Sequence, residues 1–226
     1  MIVTTKSSEP SSSACRVCAT DITVTFAASG QHRTVLDTLT VCAGAGEAVR
    51  LQGPSGSGKT TLLNVIAGLI QPDDGVVRLQ GTSLHELDEA ARAELRRRDV
   101  GLIYQQPHLI GHLTAAENVA VAADRRGSAL QERIAALLDR LGLQAVSEHR
   151  AAMLSGGEQQ RVATARALIR DPSIILADEP TSNVDARTAD LMIELLQEHV
   201  GGGASLLFAA HHGPVPQAHR DVEVGK

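Results

Sequence analysis

Three short segments of the chain carry residues whose types and spacing suit phosphate chemistry. The first, GPSGSGKTT, fits the pattern G-x-x-x-x-G-K-[ST] and follows a predicted strand at the start of a predicted helix. Glycines let several backbone amides point at one phosphate, Lys59 supplies a cation for the outer phosphates, and the Thr60 hydroxyl can ligate Mg²⁺. A glycine-rich turn without function is the plainer alternative. The predicted nucleoside triphosphate site comprises Gly53, Pro54, Ser55, Gly56, Ser57, Gly58, Lys59, Thr60 and Thr61.

The second segment, IILADEP, is an apolar strand that ends in two carboxylates, Asp178 and Glu179. In parallel α/β sheets, ligands bind beyond the carboxyl ends of the strands. Because successive strand residues point in opposite directions, Asp178 can belong to a magnesium shell while Glu179 polarises an attacking water. Taken alone, DEP is equally well interpreted as a solvated turn.

The third segment, LSGGEQQR, predicts a helix N-terminus. Ser155 and Glu158 form an S-x-x-E capping box, and Gly156 and Gly157 leave the first backbone amides bare. One nucleotide rarely needs two phosphate-binding helix ends, which suggests that this one serves a nucleotide held by another copy of the chain. An ordinary helix cap explains S-x-x-E but not the two glycines.

Strands and helices alternate around these segments. Apolar or alternating runs predict strands, and T-x-x-E at Thr114 and S-x-x-Q at Ser128 predict two helix starts in a helical insert at about 107–160. Strands that are apolar on both faces indicate a mostly parallel sheet covered on both sides, hence an α/β fold. Residues 1–14, rich in Ser, Glu and Pro, are expected to be a disordered tail, and residues 15–226 a single domain.

Composition excludes several classes of protein. The 226 residues carry 21 Lys and Arg against 26 Asp and Glu, a net charge of -5, and only 1% aromatic residues, which disfavours a general nucleic-acid binder. Apolar runs are too short to cross a bilayer, and the start lacks the apolar region of a signal peptide. Cys15, Cys18 and Cys42 are an odd set in which no pairing is expected. The C-R-V-C pair lacks the partners of a zinc site, so an incidental role is favoured.

Together, GPSGSGKTT, LSGGEQQR and IILADEP resemble the Walker A, signature and Walker B motifs of the ATP-binding subunit of ABC (ATP-binding cassette) transporters. The resemblance extends from about residue 20 to 212 and preserves the family's order. It implies a P-loop NTPase cassette with an antiparallel β subdomain and a helical subdomain that carries the signature. It also implies that ATP and Mg²⁺ are the cofactors and that ATP hydrolysis is the activity.

The resemblance places further roles on single residues. Gln105 resembles the Q-loop glutamine that touches Mg²⁺, Asp185 the D-loop aspartate, and His211 the switch histidine that contacts the γ-phosphate, while Phe26 occupies the place of the aromatic that stacks on adenine. Asp185 is also interpretable as a helix N-cap. The implied catalytic residues are Glu179, His211, Gln105 and Lys59. The implied magnesium ligands are Thr60, Gln105 and Asp178, and the implied contacts to a partner's nucleotide are Ser155, Gly156, Gly157, Glu158 and Gln159.

By the same resemblance, two copies close head to tail around two ATP molecules and drive a separate membrane permease from the cytoplasmic face of the cell membrane. The segments GLIYQQPHLIGHLTAAENV and LADEPTSNVDARTAD resemble the branch that serves lipoprotein release, macrolide or peptide efflux, and haem efflux. Two alternatives stay open, an ABC ATPase that transports nothing, such as a cell-division regulator, and an importer ATPase. No nucleic-acid partner is expected.

Overall fold

The computed structural model describes residues 15–28, 31–123, 127–182, 184–210 and 214–225. The expected tail at 1–14 and His211, the expected switch histidine, lie outside the described residues. Within those ranges, none of the α-helices combines the length with the apolar character that crossing a membrane demands.

A four-stranded antiparallel sheet opens the chain. Its two long strands pair so that Cys18 lies opposite Cys42 and Phe26 opposite Arg33, and its strand order is β2-β1-β4-β5. The apolar residues of the strands alternate, so one face packs on the core while the other stays exposed. The strands are β1 (Cys15–Ala28), β2 (Gln31–Gly44), β4 (Asp74–Leu79) and β5 (Thr82–Ser83).

A five-stranded sheet forms the centre, and every pairing in it is parallel, in the order β6-β7-β8-β3-β9. Neighbouring residues of one strand feed different cores: in β7, Ile174 and Leu176 pack toward one hydrophobic cluster, and Ile175 and Ala177 toward the other. The sheet is therefore covered on both faces, as the sequence predicts. Its strands are β3 (Ala48–Gln52), β6 (Val100–Ile103), β7 (Ile174–Asp178), β8 (Ser205–Ala209) and β9 (Arg220–Glu223).

Helices cover the two faces of the parallel sheet. One face packs against α1 and the antiparallel sheet, and the other against α3 to α6. The fold is thus the mixed α/β architecture expected from the sequence, with a parallel and an antiparallel sheet. The helices are α1 (Lys59–Ile66), α2 (Glu89–Asp99), α3 (Ala115–Ala120), α4 (Ser128–Arg140), α5 (Gly156–Leu168) and α6 (Ala186–Gly201).

Two expectations are corrected, and one strand was missed. The capping box at Ser128 is wrong, because Ser128 is already the first residue of α4 and the cap is Gly127, which makes no side-chain cap bond. The expectation of unpaired cysteines is wrong, because the β1–β2 register brings Cys18 and Cys42 together in a disulfide, of which Cys15 is not part. Strand β9 was not predicted, because its residues alternate between partly buried and exposed and do not form an apolar run.

Candidate active site

The phosphate-binding segment lies between β3 and α1 and depends on its glycines. Gly58 is the N-cap of α1, adopts a left-handed conformation with φ of 103°, and provides no side-chain cap. A Cβ at Gly58 would lie 2.8 Å from Leu36 Cδ2, so a side chain is excluded by packing as well as by backbone conformation. The first amides of α1 are therefore left without a side-chain acceptor.

Lys59 and Ser57 show that this segment is incomplete by itself. Lys59 is 6% exposed, and its Nζ donates to the carbonyl oxygens of Gly53 (2.8 Å) and Pro54 (2.9 Å). Burial lowers the pKa of Lys59, while the nearby carboxylates of Glu179 and Asp178 act in the opposite direction. The Ser57 hydroxyl is buried without a hydrogen-bond partner. A cation, an orphaned hydroxyl and uncapped amides fit a bound polyphosphate.

The two carboxylates of the second segment lie where β7 ends. Thr60, in the first turn of α1, donates from Oγ1 to Asp178 Oδ2 at 2.6 Å, which ties the phosphate-binding helix to the central sheet. Glu179 leaves the strand with a φ of 45°, a region that non-glycine residues rarely adopt, and its backbone N–H donates to the Ala209 carbonyl at 3.0 Å. Such backbone outliers persist only where surrounding bonds hold them, and they cluster at functional sites.

Gln105 joins this cluster from the neighbouring strand. It follows β6, and its Nε2 donates to Glu179 Oε2 at 3.0 Å. Lys59, Thr60, Asp178, Glu179 and Gln105 therefore meet at the carboxyl edge of the parallel sheet, as the sequence predicts. No cluster of three or more His, Cys, Asp or Glu in the described ranges could hold a metal without other ligands. A divalent ion here would need ligands from the nucleotide, which is how Mg²⁺ usually binds.

The signature helix α5 supports the segment around Gln105, which sequence reasoning missed. Gln160 Nε2 donates to the Tyr104 carbonyl at 2.9 Å. Arg166 donates to the carbonyl oxygens of Pro107 (2.7 Å) and His108 (2.9 Å), and desolvation by burial lowers its pKa. The only sequence signal was a polar residue, Gln160, among the positions that the helix buries together with Val162 and Leu168. Residues of α5 thus hold the backbone on both sides of Gln105.

The N-terminus of α5 has the capping box that the sequence predicts. Ser155 Oγ accepts from the Glu158 N–H at 3.3 Å, and Glu158 Oε2 accepts from both Ser155 N (2.8 Å) and Ser155 Oγ (2.8 Å). These bonds from Ser155 lower the pKa of Glu158. Gln159 Nε2 donates to the Leu154 carbonyl at 2.9 Å, and a Cβ at Gly156 would meet open space. No hydrogen bond or ion pair joins these residues to the phosphate-binding segment in the part of the chain described.

Two further expected residues are described. Phe26 lies on β1 with 43% of its surface exposed, so it does not serve the core. Asp185 is the N-cap of α6, where it accepts from the Thr188 N–H at 3.1 Å, and its bonds with Thr188 lower its pKa. The cap interpretation of Asp185 is confirmed, and its second carboxylate oxygen accepts from the Thr188 hydroxyl at 2.6 Å. The D-loop interpretation stays a prediction.

Comparison with known proteins agrees with this geometry. The sequence profile of the ABC transporter family matches residues 36–182, which is more than half of the chain. The chain belongs to the ABC transporter family. It is therefore an ATP-binding, ATP-hydrolysing cassette, with the fold and activity that the sequence resemblance implies.

Relatives of this ABC cassette include export proteins. It is 45% identical over 194 residues to the lipoprotein-releasing system ATP-binding protein LolD of Chromohalobacter salexigens, with 84% of this chain and 82% of the relative covered. It is 41% identical to the macrolide export ATP-binding/permease protein MacB of Burkholderia pseudomallei, with 91% of this chain but 32% of that protein covered. The ATP-binding cassette MJ0796, solved as a dimer bound to ADP and Pi, superposes with a TM-score of 0.81 at 33% identity, covering 87% of this chain and 88% of MJ0796.

Proposed function

We propose that this ABC cassette is the ATPase subunit of an exporter that releases lipoproteins or expels macrolide-like, peptide or haem cargo. The supporting observation is the joining of Gln105, Glu179, Asp178 and Thr60 at one sheet edge, in a chain whose relatives include LolD along most of its length. The domain spans residues 15–226, with the helical insert at about 107–160. The permease is a separate polypeptide, which would hold the cassette at the cytoplasmic face of the membrane.

ATP binding begins at the phosphate-binding segment. Lys59 Nζ, now on the carbonyls of Gly53 and Pro54, turns to the β- and γ-phosphates, and the Ser57 hydroxyl finds its missing acceptor there. The amides at the start of α1 point at the same oxygens. Phe26, exposed on the antiparallel sheet, offers its ring to the adenine. The full set of contacts is that predicted from the sequence, Gly53 to Thr61 with Phe26.

Magnesium fits the donors at the sheet edge. Thr60 Oγ1, the carboxylate of Asp178 and the side-chain carbonyl of Gln105 are oxygen ligands of the kind that Mg²⁺ prefers, and Thr60 and Asp178 are already in contact. When bound, Mg²⁺ neutralises charge on the phosphates.

Glu179 is the proposed general base. Its carboxylate takes a proton from water while the water oxygen bonds to the γ-phosphorus and the bond from that phosphorus to the β–γ bridging oxygen breaks, leaving ADP and phosphate. Gln105 orients Glu179 through its 3.0 Å hydrogen bond. His211, proposed as the γ-phosphate contact, lies outside the described residues.

A second copy completes each site in this proposal. The exposed helix end at Ser155, Gly156 and Gly157, with Glu158 and Gln159 behind it, would contact the γ-phosphate held by the other copy, and Asp185 would link the two sites. Loss of the γ-phosphate on hydrolysis removes the bridge between the copies, so the dimer reopens. The solved dimer of MJ0796 supports this assembly for the family.

The test is Glu179→Gln. This variant should bind ATP with unchanged affinity, lose roughly 10²- to 10⁴-fold in hydrolysis rate, and accumulate as an ATP-bound dimer. Phosphate release measures the rate, and size-exclusion chromatography with light scattering measures the dimer. The matched control is Glu194→Gln, an exposed acid on α6, which should behave as the parent protein. Unchanged turnover in Glu179→Gln would exclude Glu179 as the base.

A further inference from the structure

Glu179 lies in a backbone conformation that its own sequence disfavours. Its φ of 45° places it in the left-handed region, and it directly precedes Pro180, whose ring favours an extended conformation in the residue before it. A glutamate is neither a glycine nor one of the short polar residues that tolerate this region. The conformation of Glu179 must therefore be held by bonds from its surroundings.

Asp171, before the other end of β7, has the same two features for an ordinary reason. Its φ is 50° and it precedes Pro172. It follows the end of α5, where its N–H donates to the Leu168 carbonyl at 3.0 Å, and helices commonly end with one left-handed residue. Glu179 follows a strand instead, so no helix end accounts for its conformation.

Three hydrogen bonds hold the peptide groups of Glu179. Its N–H donates to the Ala209 carbonyl at 3.0 Å, and its carbonyl accepts from the N–H of Ser182 at 3.2 Å. The Ser182 hydroxyl donates to the same carbonyl oxygen at 3.0 Å. The backbone donor and acceptor of Glu179 are thus both satisfied, and the side chain of Ser182 supplies a bond that an alanine there could not make.

Thr181 fastens the same turn to a distant part of the chain. It is 8% exposed, and its Oγ1 donates to the Pro214 carbonyl at 2.8 Å, across 33 positions of sequence. Rotation of the turn 179–182 would break this bond and leave a buried hydroxyl unpaired, which is costly. Thr181 and Ser182 therefore restrain the turn from two directions.

The position of the Glu179 carboxylate depends on this turn. The hydrogen bond from Gln105 Nε2 fixes the end of the side chain, whereas the turn fixes the backbone from which the side chain extends. A general base must lie within roughly 3 Å of the group whose proton it takes. A displacement of about 1 Å can slow the chemical step by roughly 10²-fold.

We propose that Thr181 and Ser182 are positioning residues, which hold the Glu179 backbone in its left-handed conformation and so place the carboxylate for proton transfer from water. This inference rests on the proposed function, in which Glu179 is the general base, and adds to it two residues that act through Glu179. Their effect belongs to the chemical step rather than to ATP binding.

The first experiment is Thr181→Val, which keeps the shape of the side chain but removes the donor. We expect kcat to fall roughly five- to twentyfold while the KM for ATP changes less than about twofold. Thr181→Ser retains the hydroxyl and should recover most of the rate. Thermal unfolding verifies that each variant folds. A parental kcat in Thr181→Val, or no recovery in Thr181→Ser, would overturn the inference.

Ser205→Ala is the matched control for the loss of a buried hydroxyl. Ser205 is fully buried at the start of β8, at the opposite edge of the parallel sheet from Glu179, and its hydroxyl donates to the distant Gly44 carbonyl. Its removal should lower stability while kcat stays that of the parent. An equal fall of kcat in Ser205→Ala and Thr181→Val would show that loss of stability explains both, and would overturn the inference.

Ser182→Ala tests the second hydroxyl. The backbone bond from residue 182 to the Glu179 carbonyl stays, so the fall of kcat should be smaller, roughly two- to fivefold, again without a change in KM. Ser182→Thr keeps a hydroxyl and should recover the rate. Equal rates for Ser182→Ala and the parent would overturn the role of Ser182.

A double-mutant cycle decides whether Thr181 acts through Glu179. Thr181→Val is added to Glu179→Gln, and the residual hydrolysis of radiolabelled ATP is followed over hours in single turnovers. Because the carboxylate is already absent, the second change should alter the residual rate less than about twofold. A fall by the same factor as in the parent would show that Thr181 acts on another group, and would overturn the inference.

The failure of the inference is distinguishable from the failure of the proposed function. If Glu179→Gln alone keeps the turnover of the parent, Glu179 is not the base, and the proposed function and the inference both fail. If Glu179→Gln loses turnover while Thr181→Val and Ser182→Ala keep the parental kcat, the inference fails and the proposed function stands.

Discussion

The N-termini of α1 and α5 are the two helix ends proposed to contact phosphate, and they differ in how far their own residues satisfy them. At α1 the cap is Gly58, no side chain closes the helix end, the Ser57 hydroxyl lacks a partner and Lys59 bonds its own loop. At α5 the capping box of Ser155 and Glu158 satisfies the end from within. The first end needs an anion, whereas the second is stable without one. Affinity for nucleotide in a single chain should therefore reside at α1, and α5 should contribute only when a second copy presents it.

The largest effect is expected from Lys59→Ala. Removing the only cation that the loop can turn toward the phosphates should weaken ATP binding by about 2–3 kcal/mol, or roughly 30- to 150-fold. Isothermal titration calorimetry with ATP and Mg²⁺ measures this in the Glu179→Gln background. Lys59→Arg separates charge from shape, and it should recover part of the affinity. Normal binding by Lys59→Ala would show that α1 does not hold the nucleotide.

The second prediction concerns α5 alone. Ser155→Asp keeps a good N-cap but places a negative charge at the exposed helix end, so ATP binding to one chain should change less than about twofold while ATP-driven dimerisation weakens at least roughly tenfold. Light scattering in the Glu179→Gln background measures the dimer. Thr114→Asp is the matched control, because Thr114 has the same capping box on α3 without the glycine pair. An undiminished Ser155→Asp dimer would contradict a role for α5 across the interface.

Local patterns predicted the site, and long-range register decided what they missed. Lys59, Asp178 and Glu179 lie in contiguous motifs, so a few neighbouring residues are enough to indicate their chemistry. The sequence therefore predicts both the strands and the edge of the sheet at which these residues meet. The Cys18–Cys42 pair depends on how two 14-residue strands align, and one residue of slip would separate the sulfurs. The pattern S-x-x-Q predicted that Ser128 caps α4, but the helix begins at Ser128 and its N-cap is Gly127. The pattern is compatible with a capping box and does not by itself fix the residue at which the helix begins.

The sequence also failed to predict hydrogen bonds from side chains to distant backbone carbonyls. Gln160 and Arg166 bond carbonyls more than fifty positions away in the chain, at Tyr104, Pro107 and His108. A carbonyl belongs to every residue, so no residue type marks it as an acceptor. Only the docking of α5 on β6 and its following loop identifies these partners.

The third prediction asks whether α5 reaches the α1 site through those bonds. Arg166→Met would leave two carbonyls of the Gln105 loop without donors, so Gln105 should orient Glu179 less well. We expect kcat to fall roughly five- to tenfold with little change in the KM for ATP, since misplacement affects the chemical step. Arg166→Lys, which can keep one donor bond, should recover part of the rate. A loss of stability without a fall in kcat at unchanged KM, or equal rates for Arg166→Met and Arg166→Lys, would show that Arg166 has a structural role and does not position Gln105.

The smallest effect should come from Glu158→Gln, which keeps the capping geometry at α5 but removes the charge. Since bonds from Ser155 lower the folded-state pKa of Glu158, its charge contributes stability above the unfolded value of about 4.3, and that contribution is lost as pH falls through the folded-state pKa. The free energy of unfolding of the parent should exceed that of Glu158→Gln by about 0.5 kcal/mol at neutral pH, and the two values should converge in acid. Urea unfolding across a range of pH measures both.

Glu117→Gln makes the same change in the capping box of α3 and separates a helix-cap effect from a ligand effect. Both variants should bind ATP as the parent does, because neither residue contacts the phosphate-binding segment before α1. If α5 contacts the nucleotide of a second copy, Glu158→Gln should also affect the ATP-driven dimer, whereas Glu117→Gln should not. Glu158→Gln removes a negative charge beside the incoming γ-phosphate, so the dimer should become severalfold tighter. A dimer that responds equally to Glu117→Gln would mean that stability of the insert, rather than anion contact at α5, controls closure.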